Sequence, residues 1–256
     1  MEPISIIIYI LLGLVASILG SMLGLGGGFL MVPILIFTGF TKDYAPVISL
    51  FVIFFIAASS SIMNCHKKII NYKLGLIFAP FSMMGAFLGA FLLHLVDNLV
   101  FKIIFTIIII YTCIKIVFLN DTATPLSPEP PKKPKSKYWI ILWGFLTGLS
   151  ASFLGIGGGL IAVPVITLFF LESIYTAIAT SLFIMIFTSI ASSIQNSILG
   201  FFDSTVLIIG LIIAIGAVFG SQIGTYLKSK IKSKTLRIIF AVIVIGLALP
   251  LLWINI

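Results

Sequence analysis

The sequence predicts an all-α polytopic membrane protein with two inverted repeats, each a glycine-broken re-entrant helical hairpin plus three transmembrane helices. The 256-residue chain is 61% hydrophobic and 9% charged, with a mean hydropathy of +1.30, which is more apolar surface than a soluble domain can bury. Its apolar segments are long and continuous, as helices that cross a bilayer require. A glycine-rich motif near the N-terminus recurs about halfway along the chain, which indicates an internal duplication.

The repeated motif is a glycine cluster inside an apolar run. Residues 20–33 read GSMLGLGGGFLMVP, and residues 151–164 read ASFLGIGGGLIAVP. Glycine inside a helix costs about 1 kcal/mol relative to alanine, so we expect both helices to be broken here. We expect Pro33 and Pro164 to bend or break the short helix that follows each cluster. The matching glycines are Gly24, Gly26, Gly27, Gly28, Gly155, Gly157, Gly158 and Gly159.

Apolar segments follow each motif in the same order. In the first membrane repeat (1–119) we predict a glycine-broken stretch at 4–40 and spans at 45–65, 74–94 and 101–119. The segment 120–137 has five prolines and four lysines and is predicted to be an extended, solvated linker. In the second membrane repeat (138–256) we predict a broken stretch at 138–171 and spans at 173–198, 205–227 and 236–256.

The correspondence extends beyond the glycines. Ser60, Ser61 and Asn64 match Ser192, Ser193 and Asn196, and Asn71 matches Asp203. Gly85 and Gly89 match Gly216 and Gly220, and for these four we expect close helix packing.

The basic residues predict the orientation. If each broken stretch returns to the side from which it entered, 13 of the 15 Lys and Arg residues lie on one side. If each stretch crosses once instead, the split is 8 to 7, and the positive-inside rule gives no orientation. The rule therefore favours re-entrant hairpins, a cytoplasmic linker at 120–137 and both termini outside. Each half then crosses an odd number of times, so the second half is inverted.

A glycine turn inside a membrane can hold an anion. Irregular backbone at membrane depth is tolerated where it is buried in protein or lines a cavity. The unpaired N–H groups at the start of the following helix favour an anion by about 0.3–1 kcal/mol. Broken helices serve inverted-repeat transporters in this way near the midplane. The alternative is that these glycines only permit close packing. A dinucleotide fingerprint and a P-loop are excluded, because no strand precedes the glycines and no GK[ST] follows.

Neutral side chains complete the predicted substrate site. No Asp, Glu, Lys or Arg lies in the middle of a predicted span, so a transported metal cation would lack carboxylate ligands. Ser21 and Ser152, beside the glycines, and Asn64 and Asn196 are the candidate substrate-binding side chains. A membrane serine can instead bond to its own helix. His66 and His94 lie at span ends, where they are either solvated or carry a coupling proton.

The cysteines and the basic residues limit which ligands and partners we expect. The two cysteines have no metal-ligand spacing, so we expect no metal site and no cofactor. The basic residues lie in short loops, so we expect no nucleic acid. The expected partners are a small anionic substrate and the lipid bilayer. Assembly into a homo-oligomer, and a proton or a sodium ion as the coupling ion, stay open.

The doubled motif resembles that of the sulfite exporter TauE/SafE family of membrane permeases. GLGGGFLMVP and GIGGGLIAVP carry the resemblance, together with Asn71, Asp203 and the two GAxxG segments that begin at Gly85 and Gly216. The resemblance covers nearly the whole chain. It implies a permease of the cytoplasmic membrane for sulfur-containing anions such as sulfite or an organosulfonate. The long linker departs from the family pattern and is interpreted as a tether.

We therefore expect a secondary transporter that binds its substrate near the midplane between the two GxGGG turns, and not an enzyme. The alternative is a membrane-embedded enzyme or assembly factor without transport activity. An enzyme needs a nucleophile beside a base. The adjacent Cys65 and His66 do not meet this need, since neighbouring side chains on a helix diverge.

Overall fold

The computed structural model describes residues 3–118 and 138–228, together with residues 230 and 246. Within these residues the regular structure is entirely helical. Its nine helices are α1 Pro3–Leu23, α2 Gly28–Phe37, α3 Ala45–His66, α4 Tyr72–Leu95, α5 Asn98–Phe118, α6 Tyr138–Leu154, α7 Gly159–Phe169, α8 Ile174–Ile198 and α9 Ser204–Leu227.

Five of these helices, α1, α3, α4, α8 and α9, are long and apolar enough to cross a membrane. The helices after the glycine clusters are short, with 10 residues in α2 and 11 in α7. Ten residues extend about 15 Å, half of a typical hydrocarbon core. The predicted bounds of the spans agree to within about three residues with α3, α4, α5, α8 and α9. The predicted linker at 120–137 and the predicted span at 236–256 lie outside the described residues.

Side-chain caps set the starts of three membrane helices. The Oδ1 atom of Asn71 accepts a hydrogen bond from the Leu74 amide at 3.0 Å, and Oδ1 of Asp203 accepts one from Val206 at 3.0 Å. Ser173 caps α8 in the same way. Because an oxygen at the N-cap satisfies an amide that the helix leaves unpaired, the match between Asn71 and Asp203 reflects a shared helix start.

The prolines after the glycine clusters do not break their helices. Pro33 lies inside α2 and Pro164 inside α7, and both helices continue for several residues beyond them. Of the expected bend or break, the break is therefore wrong, and a bend stays a prediction. Proline removes one backbone donor from the helix, but residues 28–33 are all buried, so tertiary packing holds the short helix in shape.

The first helix of each half packs mainly against a helix of the other half. α1 lies along α9, and α6 lies along α4. Glycines of α4 and α9 make these contacts close, because a Cβ atom on any of them would clash with the backbone of α6 or α1; they are Gly85, Gly89, Gly216, Gly220 and Gly224. The expectation of close packing at Gly85, Gly89, Gly216 and Gly220 agrees with these contacts.

Hydrogen bonds between helices define two opposite ends of the bundle. α3 runs parallel to α9, since Ser59 bonds to the Val218 carbonyl and Lys67 to that of Thr225, both at 3.3 Å. α4 runs parallel to α8, since it contacts α8 near both of its own ends. We call residues 64–71 and 225–228 the lysine end. We call residues 41–44, 94 and 196–203 the histidine end. The full length of α4 separates the two ends.

Candidate functional site

The two glycine clusters adopt the same backbone conformation. Gly27 has φ 86° and ψ −6°, and Gly158 has φ 84° and ψ −8°. Gly24 and Gly155 have φ 73° and 70°. Side chains rarely tolerate these left-handed values, so the turns require glycine. Each turn ends a long helix and starts a short one after only four residues.

The two turns contact each other. A Cβ atom on Gly28 would clash with the carbonyl oxygen of Gly155, and one on Gly159 would clash with the carbonyl oxygen of Gly24. The contact is reciprocal, because the first residue of each short helix contacts the first glycine of the other turn. All four glycines are buried. The sequence predicted a site between the turns, and the structure brings the turns into van der Waals contact.

Two corresponding serines hold this contact from α3 and α8. Ser49 Oγ donates a hydrogen bond to the Gly155 carbonyl at 2.7 Å, and Ser181 Oγ donates one to the Gly24 carbonyl at 2.9 Å. Both serines are fully buried. The sequence analysis missed them, although residues 49–51 and 181–183 both read SLF. That second repeated triplet was the signal that could have found them.

Ile53 and Met185 fill the space beside the touching turns. A Cβ atom on Gly26 would lie 3.1 Å from both Ile53 Cγ2 and Met185 Sδ. The corresponding distances for Gly157 are 3.1 and 3.3 Å. Both side chains are buried, and they occupy corresponding positions of α3 and α8. The turns are thus sealed by apolar side chains in this conformation.

In the described residues, the amide that begins the short helix after each turn has no hydrogen-bond partner. Neither Gly27 nor Gly158 receives a side-chain cap. In the described part of the chain, no acceptor is found for the N–H groups of Gly28 and Gly159, the first residues of α2 and α7. A buried donor without an acceptor costs about 1–3 kcal/mol, so these groups favour a ligand with oxygen acceptors.

The two predicted serines lie beside the turns with different surroundings. Ser21 is buried, and its Oγ donates to the Ile18 carbonyl of its own helix at 3.2 Å. Ser152 is equally buried, but its hydroxyl has no hydrogen-bond partner among the described residues.

The two predicted asparagines do not lie at the turns. Asn64 follows Ile53 by eleven residues of α3, about 16 Å along the helix, and lies at the lysine end. Asn196 lies at the histidine end, where its Oδ1 is 2.9 Å from His94 Nε2. Since His94 and the start of α4 are separated by about 34 Å of helix, the structure places the two asparagines near opposite ends of the bundle.

At the histidine end, Asn196 belongs to a polar network. His94 Nδ1 is 2.9 Å from Asp43 Oδ1, which also pairs with Lys42 at 2.8 Å. The imidazole stacks on the Phe201 ring with 3.6 Å between centroids. Asn196 Nδ2 donates to the Ser192 carbonyl at 2.8 Å, which directs Oδ1 toward the histidine.

A tyrosine at the same end joins the two halves. The Tyr44 hydroxyl donates to Asp203 Oδ2 at 3.3 Å. The negative charge of Asp203 raises the pKa of Tyr44 above its ordinary value, because it disfavours the phenolate. The hydroxyl therefore remains a donor through the physiological pH range.

At the lysine end, the buried side-chain groups of Asn64, Thr225 and Lys228 have no hydrogen-bond partners among the described residues. Neither amide atom of Asn64 makes a hydrogen bond within the described residues, and the Thr225 hydroxyl and Lys228 Nζ make none either. Lys228 is only 6% exposed. Burial, together with the positive charge of Lys67, lowers its pKa to about 8. Ser60 and Ser61 of α3 add two more unpaired hydroxyls.

An apolar cavity of about 230 Å³ opens beside the second turn. Most of the residues that line the cavity are isoleucine and leucine. Gly158 of the turn and the polar Ser150 also line it. In the described residues no cluster of three or more His, Cys, Asp or Glu side chains forms a metal site.

Comparison with known proteins identifies the family. The sequence profile described as sulfite exporter TauE/SafE matches residues 9–251. The chain belongs to this family. The resemblance noted from the doubled glycine motif is thereby confirmed, and so is the assignment to a multi-pass membrane protein with the sequence features of a permease.

Two relatives of this TauE/SafE family member are named as transporters. The chain is 31% identical over 207 residues to the probable membrane transporter protein YunE of Bacillus subtilis, covering 71% of this chain and 74% of that protein. It is 29% identical over 169 residues to the probable membrane transporter protein MJ0441 of Methanocaldococcus jannaschii, covering 62% of this chain and 60% of that protein. No solved structure matches the chain. The family and these names indicate a transporter rather than an enzyme.

Proposed function

We propose that this protein is a secondary transporter that moves a small sulfur-containing anion, such as sulfite or an organosulfonate, across the cytoplasmic membrane. The observation that carries the proposal is the reciprocal contact of the two buried glycine turns, with unpaired amides at Gly28 and Gly159. The family name supports sulfite as one member of the substrate class. The names of the two relatives support transport.

We propose further that residues 1–119 and 138–256 are inverted repeats joined by a cytoplasmic linker at 120–137. The reciprocal bonds from Ser49 to Gly155 and from Ser181 to Gly24 support a two-fold relation between the halves. In this arrangement α1 with α2, and α6 with α7, are re-entrant hairpins that enter from opposite faces. Both termini lie outside.

The substrate site in this proposal centres on the turns. The amides of Gly27, Gly28, Gly158 and Gly159 would donate to the anion's oxygens, and Gly24, Gly26, Gly155 and Gly157 would let it approach the backbone. Ser21 and Ser152 would add hydroxyl donors. Since Ile53 and Met185 fill the space beside the turns, their side chains must move before an anion can enter.

The two asparagines have a separate role in the proposal. Asn64 and Asn196 lie near opposite ends of the bundle, so they would contact the anion as it enters or leaves. Amide Nδ2 groups are suitable donors to oxyanions. At the histidine end, Nδ2 of Asn196 already donates to the Ser192 carbonyl, so that bond would have to open first.

Uptake into proteoliposomes tests the proposal. The full chain would be reconstituted and offered labelled sulfite, methanesulfonate, sulfate and acetate, with protein-free liposomes as the blank. We expect unchanged sulfite or methanesulfonate to accumulate inside. Failure to accumulate either anion would contradict the proposed substrate class. Chemical conversion of the solute would indicate a membrane enzyme instead.

A further inference from the structure

We propose that Asn64, Thr225 and Lys228 form a binding site for a small oxyanion at the lysine end, on the path of the transported substrate. The site lies between α3 and the end of α9, apart from the glycine turns. The proposal rests on the proposed transport function for the identity of its ligand. The location of the site is inferred only from buried side chains that have no hydrogen-bond partner among the described residues.

The first observation is an unpaired, buried ammonium group. Lys228 Nζ has no hydrogen-bond acceptor in the described residues, and the side chain is 6% exposed. Buried charges in proteins are ordinarily paired or neutralised. Lys228 Nζ lies 6.0 Å from the centroid of the Tyr175 ring, which is at the limit of a cation–π contact.

The second observation is that the described residues show no negative charge acting on Lys228. The charge that acts on Lys228 is that of Lys67, which is also positive. Glu172, a carboxylate near the start of α8, already accepts a hydrogen bond from Asn71 at 2.6 Å. The sequence from residue 229 to residue 256 contains no Asp or Glu. A negative partner for Lys228 is therefore best supplied from solution.

The third observation comes from corresponding positions at the two ends. Asn196 corresponds to Asn64, and His94 corresponds to Thr225, because each lies five residues after the matched glycines Gly89 and Gly220. At the histidine end, the imidazole lies 2.9 Å from Oδ1 of Asn196, and Nδ2 of Asn196 donates to the Ser192 carbonyl at 2.8 Å. At the lysine end, the short threonine leaves the amide of Asn64 without any partner. Among the described residues, the lysine end thus leaves both atoms of an asparagine amide unpaired, whereas both are hydrogen-bonded at the histidine end.

The chemistry of these groups selects an oxyanion. Lys228 contributes an ammonium, Asn64 an amide N–H, and Thr225 a hydroxyl, with Ser60 one turn before Asn64 on the same face of α3. Three or four donors on two packed helices, one of them positively charged, match the several oxygens of a sulfite or sulfonate group. Phosphate head groups of anionic lipids present the same chemistry, so the experiment must separate the two sources.

Binding of methanesulfonate to the purified full chain, measured by calorimetry in nanodiscs of neutral lipid, tests the site. We expect Lys228→Met to weaken binding by about 10- to 150-fold, the effect of losing one hydrogen bond to a charged group. Lys228→Arg keeps the charge and should bind within a few-fold of wild type. Lys68→Met, an exposed lysine of the same end, is the matched control and should leave affinity unchanged.

Chemical protection of Lys228 gives a second readout that does not depend on transport. Reductive methylation followed by mass spectrometry would report the reactivity of Lys228 with and without methanesulfonate. We expect methanesulfonate to protect Lys228 and not Lys68. Protection by phosphatidylglycerol nanodiscs but not by methanesulfonate would overturn a substrate site and indicate a lipid site.

The outcomes also separate this site from the proposed function. Equal methanesulfonate affinity in wild type and Lys228→Met, with unchanged uptake, would overturn the site and leave transport standing. Protection of Lys228 in a protein that accumulates neither sulfite nor methanesulfonate would support the site and overturn the transport proposal.

Discussion

Ser49 on α3 donates a hydrogen bond of 2.7 Å to the carbonyl of Gly155, a residue of the other glycine turn. The bond joins positions 106 residues apart, and Ser181 makes the corresponding bond to Gly24. Each long helix thus holds the glycine turn that belongs to the opposite half. The contact between the turns consequently depends on both halves together.

Removing these serines should loosen the contact. Ser49→Ala and Ser181→Ala each leave a buried carbonyl unpaired, so we expect each to lower the free energy of unfolding by about 1–3 kcal/mol. Thermal unfolding in detergent would measure the loss. Ser150→Ala, which removes a hydrogen bond within its own helix, is the control and should have a smaller effect. Equal losses in all three variants would contradict a special role for the inter-half bonds.

Alanine substitutions at two glycines should distinguish the cost of a steric clash from the cost of a strained backbone. Gly27 and Gly39 both have left-handed φ values, 86° and 97°. A Cβ atom on Gly27 would lie 2.6 Å from the Ala16 carbonyl, whereas nothing lies within 4 Å of one on Gly39. Gly39→Ala should therefore lower the free energy of unfolding only through the strained backbone, by about 1–2 kcal/mol. Gly27→Ala should cost at least twice as much and reduce uptake more than tenfold. Similar uptake by both variants would remove the turn from the transport path.

The topology can be tested by cysteine labelling. In a background without Cys65 and Cys113, we expect an impermeant thiol reagent outside the cell to label Thr41→Cys and Gly200→Cys. The same reagent should reach Lys68→Cys only after permeabilisation. The physical reason is the concentration of basic residues on the linker side. Labelling of Lys68→Cys in intact cells would reverse the orientation.

The asparagines should act independently if they bind the substrate at different ends. We expect Asn64→Ala and Asn196→Ala each to raise the apparent Kd for methanesulfonate by about 10-fold or more. Because one anion cannot contact both ends at once, each change should weaken only the site at its own end. The double variant should therefore weaken both sites, each by the same factor as in the single variant. Unchanged affinity in the folded double variant would exclude both asparagines from binding.

Anion affinity should depend on pH through Lys228. With its pKa lowered to about 8, the amine is charged below pH 8 and becomes neutral above it. Affinity for methanesulfonate should therefore be constant between pH 6 and 7 and decrease about tenfold per pH unit well above pH 8. Lys67, Tyr175 and Lys230 surround or adjoin this amine and are retained in Lys228→Arg, which should bind without this decrease. The same decrease in Lys228→Arg would assign it to one of those neighbours.

Much of the fold follows directly from the sequence because apolar length determines membrane helices. The start of α3 at Ala45 and the ends of α8 at Ile198 and α9 at Leu227 coincide with their predicted positions. The breaks at the glycine clusters were also predictable, since runs of glycine are costly inside a helix. A break at Pro33 does not occur because the burial of α2 compensates for the missing backbone donor, an effect that the sequence of the helix alone does not show.

The site was less predictable because it depends on contacts between distant helices. The internal repeat identified Asn64 and Asn196 as matching residues. It could not show how far along their helices they lie from the glycine turns, and both lie far from them. Lys228 was counted as one more basic loop residue. Its burial depends on the packing of α3, α8 and α9, and a charge count cannot show this. Ser49 was overlooked because membrane serines commonly bond to their own helix.

The pairing of α1 with α9 and of α6 with α4 has a consequence for biosynthesis. During synthesis α1 leaves the ribosome long before α9 exists. The side of α1 that later packs against α9 must therefore contact lipid or another helix until α9 is made. A chain cut in the linker would leave the first helix of each fragment without its partner helix. Two such fragments could assemble only by inserting into the same membrane and exchanging these helices. In the proposed inverted arrangement, an ancestor of half this length would have needed a second, oppositely inserted copy to pair these helices.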